Sequence, residues 1–210
     1  MKKVATKICG IDSPATAAQV VALGATAMGI SLVPGSKRLR TLEEAAAIAA
    51  VPRRRTRLVL LFADAAPAAI EAACARLKPD LLQFHGSETP ADCRRYGLPY
   101  LRAFRADGLD PERVRAEYAD AAGWLVDAAH GGQFGGTGTT FDWSGFPQVA
   151  AEPWILAGGL NPENVGAAIE ATRPCGVDVS SGVEGAQPGT KSAARIAAFM
   201  AAVGVATGRD

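Results

Sequence analysis

Three side chains able to move a proton stand where apolar runs of this sequence stop. Lys7-Ile8-Cys9-Gly10 ends one run, Leu82-Gln83-Phe84-His85-Gly86 a second, and Trp124-Leu125-Val126-Asp127 a third. A thiol, an imidazole and a carboxyl group in such places are the materials of general acid–base chemistry. Beside them lie turns suited to anions. Gly158-Gly159 follows Trp154–Ala157, and Ser180-Ser181-Gly182 follows Gly176–Val179, whose third residue is Asp178. Between residues 131 and 138 a loop containing Gly135 and Gly136 surrounds Thr137, a backbone able to approach a ligand closely. Each group also has a plain structural reading. Cys9 reads equally as a small core residue, Asp127 as a cap for the following loop, and His85 as a satisfied histidine. Arg38, within Ser36-Lys37-Arg38-Leu39-Arg40, reads as part of a solvated charge run.

The elements that must position these groups recur along the chain. Short runs rich in Val, Ile and Leu alternate with helix-like segments roughly every 25 residues. The strand candidates are Val4–Cys9, Ala27–Val33, Arg57–Phe62, Leu81–His85, Tyr100–Arg105, Trp124–Asp127, Trp154–Ala157 and Gly176–Val179. Helix starts are expected at Ser13-Pro14, at Thr41 with Glu44 three residues on, at Thr89-Pro90 and at Asn161-Pro162. A last helix over Ser192–Val203 carries Ile196, Phe199, Met200 and Val203 on one face. Strands separated by helices run parallel, and eight such units predict an α/β chain closed into a single (β/α)8 TIM barrel over residues 1–210. An open doubly wound sheet is the architectural alternative. In a barrel the strand C-termini share one mouth, where the loops after strands seven and eight commonly bind phosphate.

Composition narrows the function. Lys plus Arg total 22 against 21 for Asp plus Glu, and this +1 balance offers no basic surface for nucleic acid. No apolar window approaches membrane-spanning length, and MKKVATKICG lacks a signal-peptide core, so a cytoplasmic location is expected. Cys9, Cys74, Cys93 and Cys175 lie far apart without metal-ligand spacing, which predicts free thiols and no zinc. A small-molecule substrate is the remaining partner class.

Five blocks carry a resemblance: Lys7-Ile8-Cys9-Gly10; Leu82-Gln83-Phe84-His85-Gly86; Gly135-Gly136-Thr137-Gly138 with Thr140-Phe141-Asp142-Trp143; Ala157-Gly158-Gly159-Leu160 with Pro162-Glu163-Asn164-Val165; and Gly176 through Glu184. In order and position they resemble the signature blocks of the phosphoribosylanthranilate isomerase family. The resemblance implies an Amadori rearrangement in tryptophan biosynthesis, without metal or organic cofactor, by a monomer or a homodimer. It implies Asp127 as general acid and Cys9 as general base, with Arg38 pairing the anthranilate carboxylate. Phosphate is expected around Gly158, Gly159, Ser180 and Ser181, and further substrate contacts at Gln83, His85, Gly135, Gly136 and Asp178. In water a carboxyl group of pKa about 3.9 and a thiol of about 8.5 would take the opposite roles. Burial must therefore favour the protonated acid, and a cation such as Lys7, if it reaches the mouth, must lower the thiol. Another phosphate-binding barrel isomerase and a catalytically silent paralogue remain the alternatives.

Overall fold

The computed structural model describes residues 4–127, 143, 146–147 and 152–208. Eight parallel strands close in sequence order: β1 Ala5–Cys9, β2 Ala27–Ser31, β3 Arg57–Phe62, β4 Leu81–Phe84, β5 Tyr100–Arg105, β6 Gly123–Asp127, β7 Trp154–Ala157 and β8 Gly176–Val179, with β8 paired back onto β1. The open-sheet alternative is thereby excluded. Around the barrel run α1 Pro14–Ala22, α2 Leu42–Ala49, α3 Pro67–Leu77, α4 Pro90–Arg94, α5 Pro111–Glu117, α6 Val165–Thr172 and α7 Ala193–Ala206.

Strand alternation sorts every side chain to one of two cores. Leu58, Leu60 and Phe62 belong to the large apolar layer beneath the helices, whereas Val59 and Leu61 join Cys9, Leu81 and Leu101 in a second cluster, inside the barrel. The same parity places Ile8 in the helix-facing layer and leaves Lys7 and Cys9 for the interior. It likewise turns Gln83 and Asp127 inward while Phe84 and Val126 pack outward, and Asp178 inward between the outward Val177 and Val179. Under the helices Trp124 and Trp154 stack across β6 and β7 with centroids 4.8 Å apart. Gly29, paired with Cys9 in the β1–β2 register, leaves the space that the Cys9 and Lys7 side chains fill: a Cβ there would lie 3.2 Å from both Cys9 Sγ and Lys7 Cε.

The helix starts are set by side-chain caps. Ser13 accepts from Thr16 N, Thr41 and Thr89 form capping boxes with Glu44 and Asp92, and Ser192 accepts from Arg195 N. Asn161 differs from expectation. Its Oδ1 accepts from Glu163 N and Asn164 N in a turn, and α6 begins only at Val165. Three strands are shorter than predicted: β1 begins at Ala5, while β2 stops at Ser31 and β4 at Phe84 because the chain makes one further ladder bond each (Leu32 N to Leu61 O, His85 N to Phe62 O) and then turns. The last helix runs three residues past Val203.

Candidate active site

At the C-terminal mouth a cavity of about 380 Å3 is walled by Cys9, Arg38, His85, Asp127, Gly158, Gly159, Asp178, Ser180 and Ser181. Strands β1, β6 and β8 thus bring the thiol and the two carboxyl groups to one space. Gln83, wholly buried, lies just beneath. Gly135 and Gly136 fall outside the described residues. A wider crevice of about 700 Å3 runs beside it along β5 and α5 and shares His85 and Asp127 with it. The smaller cavity is the chemically coherent one, since it brings Asp127 together with the Cys9 thiol, Asp178 and the glycine and serine turns.

Its floor is charged. Lys7 Nζ donates to Asp178 Oδ2 at 2.8 Å, both side chains being buried. Burial opposes the Lys7 charge, but Asp178 and then Cys9 outweigh it and hold the ammonium above its ordinary value. Burial also pushes the Asp178 carboxyl up; at 2.8 Å the Lys7 charge nonetheless keeps the pair as ammonium and carboxylate. Asp178 Oδ1 is buried and has no hydrogen-bond partner among the described residues; the residue itself lines the cavity. Lys7 therefore lies close to Cys9 beneath the cavity, but it does not win at the thiol. Burial pushes Cys9 above its ordinary value, with Lys7 pulling it down, Asp178 adding to the rise and Lys191 opposing it. The thiol is raised where a lowering was expected, because desolvation of an anion in a closed barrel exceeds the pull of one already paired lysine.

The His85 ring nitrogen Nε2 meets the Gln83 side-chain amide. Enclosure by the mouth, then the charges of Lys7 and Arg102, lower its pKa to about 4; the face open to solvent screens part of this effect. The imidazole is thus neutral at physiological pH. The unfolded chain binds the proton near 6.5 and the folded one lower, so this group contributes a loss of stability as pH falls from about 6.5 toward about 4 and none above. In proton NMR, the resonance absent from a His85→Gln variant should titrate well below pH 6; a midpoint near 6.5 refutes the enclosed-ring picture.

Backbone geometry builds the anion end. Gly158 and Gly159 adopt φ of 84° and 63°, a region side chains disfavour, and Asn164 Nδ2 donates to Gly159 O at 3.0 Å to fix the turn against α6. A Cβ on Gly182 would fall 1.8 Å from Leu160 O, so the loops after β7 and β8 are in direct contact. Ser180 Oγ donates to Cys9 O at 3.1 Å. Beneath this turn Lys191, whose side chain is fully buried, donates to Ser180 O at 2.9 Å. Burial lowers its pKa, with Glu184 opposing that effect. Lys191 was not among the residues singled out from sequence: it sits alone between Thr190 and Ser192, and no periodicity announces that it folds back under a turn. Ser31, at the end of β2, also lines the cavity. Arg38 reaches the mouth by crossing Gly10, where an added Cβ would stand 2.5 Å from Arg38 Cδ; Gly10 has φ of 73°.

Among the described residues no group of three or more His, Cys, Asp and Glu side chains is placed to hold a metal ion. Cys9, Cys74 and Cys93 are free thiols.

Residues 6–202 match the family model for N-(5'-phosphoribosyl)anthranilate isomerase. The chain is 46% identical over 207 residues to the enzyme so named from Bordetella pertussis, covering 94% of each chain. It is 41% identical over 202 residues to that from Neisseria meningitidis serogroup B, covering 96% of this chain and 97% of the relative. Among solved structures it is similar to a phosphoribosyl anthranilate isomerase in complex with reduced 1-(o-carboxyphenylamino)-1-deoxyribulose 5-phosphate, at TM-score 0.76 and 33% identity over 98% of this chain and 99% of the other.

Proposed function

The chain belongs to the N-(5'-phosphoribosyl)anthranilate isomerase family, and from that premise we propose how its own residues carry the reaction. The enzyme converts N-(5'-phosphoribosyl)anthranilate to 1-(2-carboxyphenylamino)-1-deoxyribulose 5-phosphate, a step of tryptophan biosynthesis. In our reading Asp127 is the general acid. It gives a proton to the furanose ring oxygen as the C1–O bond breaks and the nitrogen lone pair forms a C1=N double bond. Cys9, as thiolate, then takes the proton from C2; the C–H electrons become a C1=C2 bond and the C=N pair returns to nitrogen. The resulting enol loses its hydroxyl proton while C1 gains one, leaving the ketone, so the atoms balance without cofactor.

The remaining groups position. The phosphate lies against the Gly158-Gly159 and Ser180-Ser181 turns, with buried Lys191 beneath, where backbone N–H groups and a nearby cation favour a dianion. Arg38 pairs with the ring carboxylate. The unused Oδ1 of Asp178 and the neutral His85 are free to bond the sugar hydroxyls. Gly135 and Gly136 belong to this proposal by motif alone. Fixing both anionic ends holds C1 and C2 between acid and base. Because burial raises the Cys9 thiol, forming the reactive thiolate works against desolvation. The whole chain, 1–210, acts as one catalytic unit in the cytoplasm on a phosphorylated small molecule, and no described helix is long and apolar enough to cross a membrane.

The observation that carries this reading is the presence of Cys9 and Asp127 in the wall of one 380 Å3 cavity that also contains the glycine and serine turns. The test is a fluorescence assay in which anthranilate, phosphoribosyl pyrophosphate and a phosphoribosyltransferase form the labile substrate in place. Adding this protein should quench the substrate's emission as product accumulates. A signal that decays only at the uncatalysed rate rules the activity out.

A further inference from the structure

Glu184 follows the short 3-10 helix Ser181–Val183 and is nearly buried, with 9% of its side chain exposed. Its Oε1 accepts from Arg38 Nε at 2.5 Å and from Lys191 Nζ at 3.4 Å; its Oε2 accepts from Gly189 N at 3.1 Å. The turn that supplies Gly189 is closed by Gly185 N donating to Thr190 O at 2.9 Å. That turn also clasps the Arg38 loop, since a Cβ on Gly189 would stand 2.5 Å from the carbonyl oxygen of Lys37. One carboxylate therefore joins the arginine after β2 to the lysine under the turn after β8. A guanidinium is a planar fork of five donors with two usable edges. Gripped at Nε, it keeps its far edge, the two terminal nitrogens, for a second carboxylate.

We propose that Glu184 is a positioning residue for substrate recognition, holding Arg38 by Nε so that its terminal nitrogens meet the ring carboxylate. This deepens, and rests on, the reading of Arg38 as the carboxylate anchor. Without Glu184 the arginine is free to swing over Gly10, and the advantage of a carboxylate-bearing ligand falls even though the phosphate turns are intact.

The experiment compares two ligands by calorimetry on the full chain: reduced 1-(o-carboxyphenylamino)-1-deoxyribulose 5-phosphate, and the same compound without its ring carboxylate. The ratio of their affinities reads the Arg38 contact alone. Glu184→Ala should lower that ratio about tenfold, the size of one charge-assisted hydrogen bond, while the carboxylate-free ligand changes less than about threefold. Glu184→Gln keeps an acceptor for Nε and should keep the ratio within about threefold. Arg38→Ala should abolish the preference, and adding Glu184→Ala to it should lower the ratio no further, the signature of residues acting through one contact. Equal weakening of both ligands in Glu184→Ala, or failure of both Glu184 variants to fold, makes the residue structural and overturns the proposal. An Arg38→Ala protein that keeps the preference refutes the anchor reading itself, an outcome distinct from failure at Glu184.

Discussion

Replacing Cys9 with alanine is expected to lower kcat by about 10²- to 10⁴-fold, the range a positioned proton-transfer group contributes. Binding of the reduced product should stay within about tenfold of wild type, because the anionic anchors lie on other strands. The fold should survive, since alanine removes a single sulfur atom and the helix-facing layer at this point is built by Ile8. Two measurements check the role as well as the rate. Thiolate absorbance in the ultraviolet, taken as the difference between wild type and Cys9→Ala, should titrate above the ordinary thiol value in the empty enzyme, since burial dominates there. Deuterium at the second sugar carbon should slow the Cys9 variant more than wild type, because C2 proton removal becomes the limiting step. An alanine variant with unchanged turnover removes Cys9 from the mechanism.

Asp127→Asn should produce a loss of the same order and the opposite isotope response. The amide keeps the shape of the side chain, and the backbone oxygen of residue 127 still accepts from Ala106 N at 3.0 Å, so β6 keeps its end. What disappears is the proton for the ring oxygen. Ring opening then limits the rate, and the deuterium effect at the second carbon should shrink toward unity. Isotope effects moving in the same direction in both variants would deny the two residues separate steps.

Much of this was legible in the linear sequence. The short apolar runs marked all eight strands to within two residues, because a parallel strand buried on both faces reads as a continuous hydrophobic stretch. The parity of those runs also carried the site. Lys7 and Cys9 flank Ile8, and Leu125 and Asp127 flank Val126, so once a strand is assigned, its inward residues follow. Side-chain caps fixed the helix starts wherever the capping oxygen reached the N3 amide. Asn161 misled because the same side chain serves equally well to close a turn.

Three things were not legible. The Cys9 thiol depends on the contest between desolvation and a lysine partner, and that partner's own pairing with Asp178 is a contact across 171 positions. Lys191 and the linking role of Glu184 arise where separate loops meet at the mouth, and neither position has a local pattern. The resemblance marked Arg38 as the carboxylate partner, but no local pattern showed that its aliphatic shaft lies against Gly10 or that its Nε is held by a carboxylate 146 positions away.

The closure of β1 onto β8 bears on how the protein is made. Lys7 leaves the ribosome 171 positions ahead of Asp178, the carboxylate that neutralises it. An ammonium cannot be sealed in a dry interior alone, so β1 has to wait, hydrated, until β8 has been made. Ring closure can only follow the synthesis of β8, and a nascent product cut before residue 178 has no means of completing it.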